Sequence, residues 1–425
     1  MTGAVTSTDV GKLFVNASQV ITCAGPSRAR RGAEMSVIGI RRDACVAVHD
    51  GKFAAIGTET ELAAAFPRSE RIDCTGRVLT PGLIDSHTHA VFGRARYEEQ
   101  EMRSAGSSYM EIAQRGGGIH SSVRDLRARS ADELVSLTRE RLARIASYGT
   151  TTIEIKSGYG LSVEDELKSL RVIARLQRET NLRLVPTWLG AHEIPLEYRE
   201  RAGGRAAYVE LLINEMLPRV VSGGLARFAD VFCEPGVFTI NETRTILQAA
   251  AAAGLATKLH ADELEPCGGA ELAVSLGATS ADHLAAVSAA GIRALARADT
   301  VATLLPGTMF FLGRTKQAPA RELIASGAAV ALATDFNPGT SPTVNLPLVM
   351  TIGVSQLCMS VAEVITATTA NGAAALAIAH ETGQISPGFA ADLALWDCGD
   401  VREIPYWYGD RRCVATWAGG EAVRV

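Results

Sequence analysis

Two histidines separated by one residue close an apolar run in the first quarter of the chain. His87 and His89 end segment 78–89, in which Val-Leu-Thr-Pro-Gly-Leu-Ile-Asp-Ser precedes His-Thr-His. Alternate side chains of a β-strand point to the same face, so a strand here would place both imidazoles on one side. That arrangement suits a bound metal ion, although a surface pair of histidines explains the bare motif equally well. The rest of the chain has to decide between these two interpretations.

Further groups capable of metal binding or proton transfer follow other short apolar runs. They are His192, Glu234, His260, Asp262, Glu263, His283 and Asp335. Three histidines and one aspartate would form a suitable ligand set for zinc or another borderline divalent ion, with one position open for water. Such an ion would lower the pKa of the water toward ~7 and polarise a carbonyl group. Glu263 could accept the proton of that water, the alternative being a solvated loop carboxylate.

Alternating strand and helix patterns from residue 82 onward would position these side chains. Strands are predicted at residues 83–89, 151–155, 182–189, 228–233, 256–260, 280–284, 301–305 and 329–334, with the clearest helices at 131–147, 164–179 and 242–253. These strands span roughly 250 residues, the usual extent of a (β/α)₈ barrel, whose catalytic groups lie at the carboxyl ends of the strands. A doubly wound sheet would instead carry a glycine-rich phosphate loop after its first strand, where this chain has His87-Thr88-His89.

The two ends of the chain predict a second, smaller unit of β structure. Strands are predicted at 14–22, 36–40, 71–79, 392–397 and 413–417, and a hairpin at 44–49 and 52–56. Asp50-Gly51 supplies the positive φ angles of a type I′ hairpin turn. We therefore predict an α/β protein: a (β/α)₈ TIM-like barrel of residues 80–385, with a small composite β-sandwich domain built from 1–79 and 386–425.

Composition excludes several classes of protein. The chain has 425 residues, of which 47% are hydrophobic, and a formal net charge of −4. This balance argues against nucleic acid or an anionic membrane surface as a partner. No apolar run reaches the ~18 residues of a transmembrane helix, and residues 1–9 lack the pattern of a signal peptide. Eight scattered cysteines without a C-x-x-C pair indicate reduced thiols, so we expect a cytoplasmic protein.

Segments 81–89 and 383–393 resemble two motifs of the amidohydrolase superfamily. The first reads Pro-Gly-Leu-Ile-Asp-Ser-His-Thr-His, like the opening motif of that superfamily. The second reads Gly-Gln-Ile-Ser-Pro-Gly-Phe-Ala-Ala-Asp-Leu, like its return into the β domain. The resemblance covers nearly the whole chain and implies a metal-dependent hydrolase. It implies that His260 and Asp335 join His87 and His89 as metal ligands, and that His283 on strand six is catalytic.

The end of the fourth predicted barrel strand bears on the number of metal ions. Two-metal members of the superfamily usually carry a carboxylated lysine there, whereas this chain reads Phe-Cys-Glu-Pro at 232–235 and has Lys156 on strand two. We therefore expect one divalent or trivalent ion, Zn²⁺ or Fe³⁺, per chain. A bridging role for Glu234 is the alternative.

Five further stretches narrow the resemblance to enzymes that act on 4-imidazolone-5-propanoate in histidine degradation. They lie at 108–119, 154–160, 190–195, 259–263 and 334–340. The implied reaction is hydrolysis of a ring C–N bond of this small molecule to give N-formimidoyl-L-glutamate. The resemblance implies that Arg96 binds the propanoate, since a guanidinium pairs a carboxylate bidentately. It assigns ring contacts to Tyr159, His192 and Tyr109, assigns the site lining to Asn337, Gly339 and Thr340, makes Glu263 a substrate-contacting general base, and makes His283 the group that orients the water or the oxyanion.

Each of these assignments has a plainer alternative. Arg96 could be a surface arginine, and Arg94 could share its role because the loop at 92–99 departs from the usual version. Tyr159 and Tyr109 could simply pack, and residues 337–340 could form an ordinary turn. A purine or pyrimidine deaminase would share the metal ligands without needing an arginine for a carboxylate, and a non-catalytic barrel would be expected to have lost ligands. We also expect a homodimer, as for many barrels with a composite β domain.

Overall fold

Eight parallel strands form the central barrel and follow one another around it in chain order. The computed structural model of the protein describes residues 11–107, 111 and 116–425. The barrel strands are Leu83–Asp85, Thr150–Lys156, Arg183–Ala191, Phe228–Cys233, Ala256–Ala261, Ser280–His283, Val301–Leu304 and Val330–Leu332. The eight strands expected from the sequence are confirmed. The first, however, ends at Asp85 and not at residue 89, so His87 and His89 lie just beyond it.

The barrel closes where the segments after its first and eighth strands meet. Thr88 and Phe336 form a parallel bridge there. The His89 N–H donates to the Phe336 carbonyl at 2.8 Å, and the Asp335 N–H donates to the His87 carbonyl at 3.1 Å. Backbone hydrogen bonds therefore tie the His-x-His motif to Asp335, although the two are far apart in the sequence.

Helices alternate with the barrel strands. The α-helices are Glu59–Ala65, Tyr97–Ser104, Ile119–Ala128, Ala131–Ala146, Val163–Glu179, Leu196–Arg199, Gly204–Leu211, Leu217–Ser222, Ile240–Ala252, Gly269–Ser275, Ala289–Leu295, Pro306–Phe311, Ala320–Ala325, Leu346–Gln356, Val361–Ala367, Ala370–Ala374 and Glu403–Tyr406, with a 3₁₀ turn at Gly32–Ser36 and a π turn at Leu212–Met216. Ser130 and Thr239 begin two of these helices with capping boxes, which satisfy the first free N–H groups. No helix in the described ranges is long and apolar enough to span a membrane.

Two further sheets pack against each other and draw on both ends of the chain. One contains, in order, Lys52–Gly57, Cys45–His49, Lys12–Val15 and Glu70–Asp73, and the other Glu421–Ala422, Cys413–Ala418, Leu393–Trp396, Val78–Pro81, Gln19–Ile21 and Ile40–Arg41. Phe14, Leu79, Leu393 and Trp417 belong to the shared core, in which each large apolar side chain contributes about 1.5–3 kcal/mol. This confirms the composite β-sandwich. The exact domain boundaries at 79/80 and 385/386 stay predictions.

Three of the predicted outer strands were wrong in extent. Segment 14–22 divides at Asn16, whose φ of 63° turns the chain, so its two halves join different sheets. Segment 71–79 divides in the same way at a turn in which Gly76 has a φ of 74°. Residues 36–40 are mostly not a strand, because the 3₁₀ turn ends at Ser36 and Gly39 has a φ of 61°. Backbone reversals hidden inside apolar patterns explain all three errors.

Gly149 lies where the barrel meets the six-stranded sheet. Its φ is 90°, and a Cβ at this position would lie 2.8 Å from the Trp396 ring. The Trp396 indole N–H donates to the Thr80 hydroxyl at 2.8 Å, so the ring cannot move without losing a buried hydrogen bond. Glycine is therefore required by both the backbone angle and the close packing.

Replacing Gly149 by alanine should destabilise the protein more than the same change at Gly254. Gly254 has a nearly identical φ of 92° but open space around it. Gly254→Ala should cost about 1 kcal/mol in strain, and Gly149→Ala about 1–3 kcal/mol more through overpacking. Urea unfolding of both variants measures the difference. Equal losses would show that the Trp396 contact does not constrain this position.

Candidate metal centre and active site

The four predicted metal ligands converge at the carboxyl end of the barrel. Potential ligand atoms of His87, His89 and His260 all lie within 4.8 Å of one another. Nε2 of His87 and Nε2 of His89 lie 3.6 and 3.4 Å from Oδ1 of Asp335. His87 also groups with His283 and Asp335 within the same 4.8 Å limit. The chain thus brings together a histidine-rich candidate site for a metal ion.

The protonation and hydrogen bonding of these histidines suit metal ligation. Burial and the Lys156 cation hold the pKa of His87 well below its usual range, and burial and His260 do the same for His89. Neutral imidazole is the form that binds a metal ion. Within the described part of the chain, His87 Nε2 and His260 Nε2 are buried without a hydrogen-bond partner. A bound cation would satisfy these orphaned lone pairs.

Two buried aspartates orient the histidines from behind. Asp282 Oδ2 accepts from Nδ1 of His87 at 2.7 Å, and Asp230 Oδ2 lies 3.0 Å from Nδ1 of His260. Burial acts to raise the pKa of Asp230, but His260 and Lys156 outweigh it and hold that pKa well below its usual range. A carboxyl oxygen that accepts the hydrogen of Nδ1 fixes the tautomer, leaving the Nε2 lone pair for the metal.

A network of buried charges lies behind these aspartates. Lys156 Nζ donates to Glu154 Oε1 and to Asp230 Oδ2, both at 2.7 Å. Lys258 Nζ donates to the Ser86 carbonyl at 2.7 Å and lies 3.5 Å from Asp282 Oδ2. Burial acts to lower the pKa of Lys156, but Asp230 and the other carboxylates outweigh it and raise that pKa above its usual range. Lys156 therefore remains a cation that holds Glu154 and Asp230 in place.

Sequence reasoning missed this network, although a signal for it exists. Glu154 and Lys156 are two positions apart on one strand, as are Lys258 and His260 on another. Charged side chains at alternate positions of an otherwise apolar strand share one face. That spacing, applied to every barrel strand, would have predicted a charged layer beneath the metal ligands. Thr308, whose hydroxyl donates to Asp335 Oδ2 at 2.6 Å, lies on a helix and has no comparable signal.

Glu263 and His283 lie beside the ligands. Nε2 of His283 is 3.6 Å from Oε2 of Glu263. Burial, followed by the charges of Asp335 and Glu234, raises the pKa of Glu263 well above its usual range. Burial lowers the pKa of His283 to about 3, so this imidazole is neutral at physiological pH. A carboxyl with a raised pKa next to a neutral imidazole is suited to moving a proton.

Tyr159 and His192 form a wall next to His89. The rings of His192 and His89 stack with centroids 5.0 Å apart, and the Tyr159 centroid lies 5.4 Å from that of His192. Nδ1 of His192 is 2.9 Å from the Gly158 carbonyl. Because a carbonyl only accepts, Nδ1 carries the hydrogen and Nε2 presents a lone pair. Both side chains therefore border His89 of the candidate metal centre, and their contact with a substrate ring stays a prediction.

Arg96 is buried, whereas its neighbour Arg94 is not. The Arg96 side chain is 9% exposed and the Arg94 side chain 55% exposed. Arg96 Nε lies 3.6 Å from Glu99 and makes no hydrogen bond within the described residues. A Cβ on Gly339 would overlap the Arg96 guanidinium, so this glycine makes room for the arginine. A buried guanidinium with unused donors favours an anionic ligand.

The turn after the eighth strand uses most of its own polar groups. The Asn337 amide donates to the Asp335 carbonyl at 2.7 Å and to the Thr340 hydroxyl at 2.8 Å. Its oxygen accepts from the N–H groups of Gly339 and Thr340 at 2.9 and 2.7 Å. Asn337 thus shapes the turn that carries Gly339 to Arg96. Tyr109, the remaining predicted site residue, lies outside the described residues.

Backbone strain concentrates at the ends of the strands that carry the site. Asp262, His283 and Asp335 have φ angles of 49°, 80° and 52°. Non-glycine residues rarely adopt such angles, which cost about 1–3 kcal/mol each and cluster at functional sites. The strain supports the interpretation of this region as an active site.

Comparison with known proteins places the chain in a family. The model of the amidohydrolase family matches residues 78–423, and the chain belongs to that family. Imidazolonepropionases are similar along almost the whole length. That of Geobacillus sp. strain WCH70 is 47% identical over 403 residues, which cover 93% of this chain and 94% of that protein. That of Solibacter usitatus strain Ellin6076 is 45% identical over 411 residues, which cover 96% of this chain and 98% of that protein.

Solved structures with low identity share the fold. E. coli guanine deaminase superposes with a TM-score of 0.72 at 14% identity, covering 98% of this chain and 99% of the other. A zinc-bound adenosine deaminase from Xanthomonas campestris gives a TM-score of 0.71 at 16% identity, covering 97% and 92%. These structures confirm the barrel with its extra β domain, and the family match confirms the superfamily resemblance.

Asp282→Asn should weaken metal binding by about 10- to 100-fold, because His87 loses the carboxylate that fixes its tautomer. Competition with a chromogenic chelator measures the affinity, and far-ultraviolet circular dichroism checks folding. Asp299→Asn is the matched control, since it removes the same charge from a fully exposed carboxylate. Equal affinities in the two variants would contradict the orienting role of Asp282.

Proposed function

We propose that the protein hydrolyses a ring C–N bond of 4-imidazolone-5-propanoate to give N-formimidoyl-L-glutamate, as an imidazolonepropionase of histidine degradation. The support is twofold. Relatives about 45% identical over nearly the whole chain carry that name. The observation that carries the proposal within this chain is the buried Arg96 guanidinium, whose charge acts on Tyr159 next to His89, because it suits the propanoate of this substrate.

The residues fit one metal ion. His87, His89, His260 and Asp335 would hold it. The supporting observations are the buried ring nitrogens of the histidines that lack a hydrogen-bond partner and the lowered pKa values of His87 and His89. Such an ion, when bound, lowers the pKa of water toward ~7 and polarises the ring carbonyl. Zn²⁺ and Fe³⁺ both suit three imidazoles and one carboxylate.

Glu263 and His283 move the protons and stabilise charge. The raised pKa of Glu263 lets it accept a proton from the attacking water at its carboxylate and return that proton to the ring nitrogen as the C–N bond breaks. Neutral His283, 3.6 Å away, orients the water or stabilises the tetrahedral oxyanion. Burial also raises the pKa of Tyr159, so its phenol stays protonated and can donate to the substrate.

Arg96 and the turn at 337–340 hold the other end of the substrate. The two carboxylate oxygens of the propanoate accept from the guanidinium, which Gly339 allows to approach. His192 offers its Nε2 lone pair to a ring N–H, and Tyr109 is the further ring contact. A nucleobase carries no carboxylate, so a deaminase substrate would not pair with Arg96.

We further propose a cytoplasmic location and a homodimer. The support for the first is that all eight cysteines are free thiols, as expected in a reducing compartment. The second rests on the frequency of dimers among barrels with a composite β domain, and analytical ultracentrifugation tests it.

The purified, metal-loaded protein should consume freshly generated 4-imidazolone-5-propanoate. The loss of its ultraviolet absorbance measures turnover, and a chelator-treated sample and a nucleobase substrate are the controls. Turnover that disappears with the metal and returns on reloading supports the proposal. Absence of turnover in protein with a full complement of metal would overturn it.

Arg96→Ala should raise KM by about 10- to 100-fold, since a charge-assisted hydrogen-bonded pair contributes about 1.5–3 kcal/mol. The bound metal should be unchanged, because Arg96 is not among the ligands. Arg94→Ala is the matched control: its side chain is exposed and pairs with Glu98, so its KM should stay near the wild-type value. Wild-type kinetics in Arg96→Ala would remove this residue from the site.

A further inference from the structure

Glu234 accepts hydrogen bonds from three consecutive backbone N–H groups next to the active site. It follows the fourth barrel strand and is 2% exposed. Its Oε2 accepts from the N–H of Glu263 at 3.1 Å. Its Oε1 accepts from the N–H groups of Leu264 and Glu265 at 3.0 and 2.7 Å. Both oxygens are engaged with backbone, and Glu234 is in neither candidate metal-ligand group of the described residues. The bridging role held open as an alternative is therefore not supported by this geometry.

Asp262 likewise accepts hydrogen bonds from backbone N–H groups, those of the residues that follow Pro266. Its Oδ1 accepts from the N–H groups of Cys267, Gly268 and Gly269 at 2.9–3.1 Å, and its Oδ2 from that of Ala270 at 2.9 Å. Residue 266 is a proline and has no N–H. Every backbone N–H from 263 to 270 is thus bound by one of two buried carboxylates, which replace the hydrogen bonds that a helix or strand would provide.

We infer that Glu234 is a positioning residue that fixes the backbone of the general base Glu263. This inference rests on the proposed function for the role of Glu263. The Glu263 carboxylate makes no side-chain hydrogen bond among the described residues, and the neutral His283 ring is 3.6 Å away. Its place is therefore set by its backbone, whose N–H is bound by Glu234. A shift of about 1 Å in a reacting group can cost 10²-fold in rate.

Glu234→Gln is designed to break the hydrogen bond from the Glu263 N–H while keeping those from Leu264 and Glu265. The carboxamide oxygen can keep the two N–H groups that Oε1 accepts, but its NH₂ group then faces the N–H of Glu263, donor against donor. Glu265→Gln is the matched control. It removes the same charge from the same segment, its side chain is exposed, and its backbone N–H still reaches Glu234. Glu234→Asp is the second variant, because it keeps the charge but is too short to bind all three N–H groups.

Three measurements on the metal-loaded enzyme test the inference. Amide hydrogen exchange of peptides covering 263–265 should accelerate by about tenfold or more in Glu234→Gln and Glu234→Asp. The kcat of both should fall by about 10- to 100-fold, with KM changed by less than about threefold. Bound metal per chain should stay at the wild-type level. Glu265→Gln should match the wild type in all three.

Several results would overturn the inference. Unchanged exchange at 263–265 would show that Glu234 does not fix this backbone. Loss of metal from either Glu234 variant would show that Glu234 helps to hold the metal ion. A wild-type kcat in Glu234→Asp would mean that its charge, not its hydrogen bonds, matters. If the wild-type enzyme does not turn over the imidazolone, the proposed function fails, while the exchange data still decide whether Glu234 fixes the segment.

Discussion

Charge compensation inside the barrel is the constraint on which the rest of the site depends. Glu154, Lys156, Asp230, Lys258 and Asp282 are all buried within the strands. An isolated ion in such a place costs several kcal/mol, and removing one partner of a buried pair costs about 3–5 kcal/mol. The two lysines bridge the three carboxylates, at distances of 2.7–3.9 Å. Carboxylates outnumber ammonium groups in this layer, so a cation held by the histidines above it is electrostatically favoured.

The same buried charges fix the orientation of the histidine rings. Asp282 and Asp230 each have one oxygen toward a lysine and one contact with a ligand imidazole, so the His87 and His260 rings are set by strands on several sides of the barrel. Around the rim, buried carboxylates accept hydrogen bonds from backbone N–H groups of a loop and of the first turn of the helix that follows it. Buried carboxylates therefore orient both the histidines of the candidate metal centre and the segment that carries Glu263.

The barrel was predictable because its strands are buried on both faces and appear as short, nearly continuous apolar runs. The outer strands were harder to predict, because the chain reversals at Asn16 and Gly76 depend on single φ angles that the apolar pattern does not reveal. In the site, the strand-end histidines stood out, whereas Asp230 and Asp282 were hidden within runs counted as apolar. Arg94 and Arg96 could not be separated by sequence, because only their burial distinguishes them.

Arg96, the residue proposed to bind the substrate carboxylate, lies at the seam where the barrel closes. Proteins with 14–16% identity share the fold, so the fold by itself does not specify a substrate. The His89–Phe336 hydrogen bond joins the ends of the first and eighth strands, and the Arg96 N–H donates across the same seam to the Pro338 carbonyl at 2.9 Å. Gly339 then leaves space for the guanidinium. Two loops distant in sequence thus meet at Arg96, and the same seam carries His89 and Asp335 of the candidate metal centre.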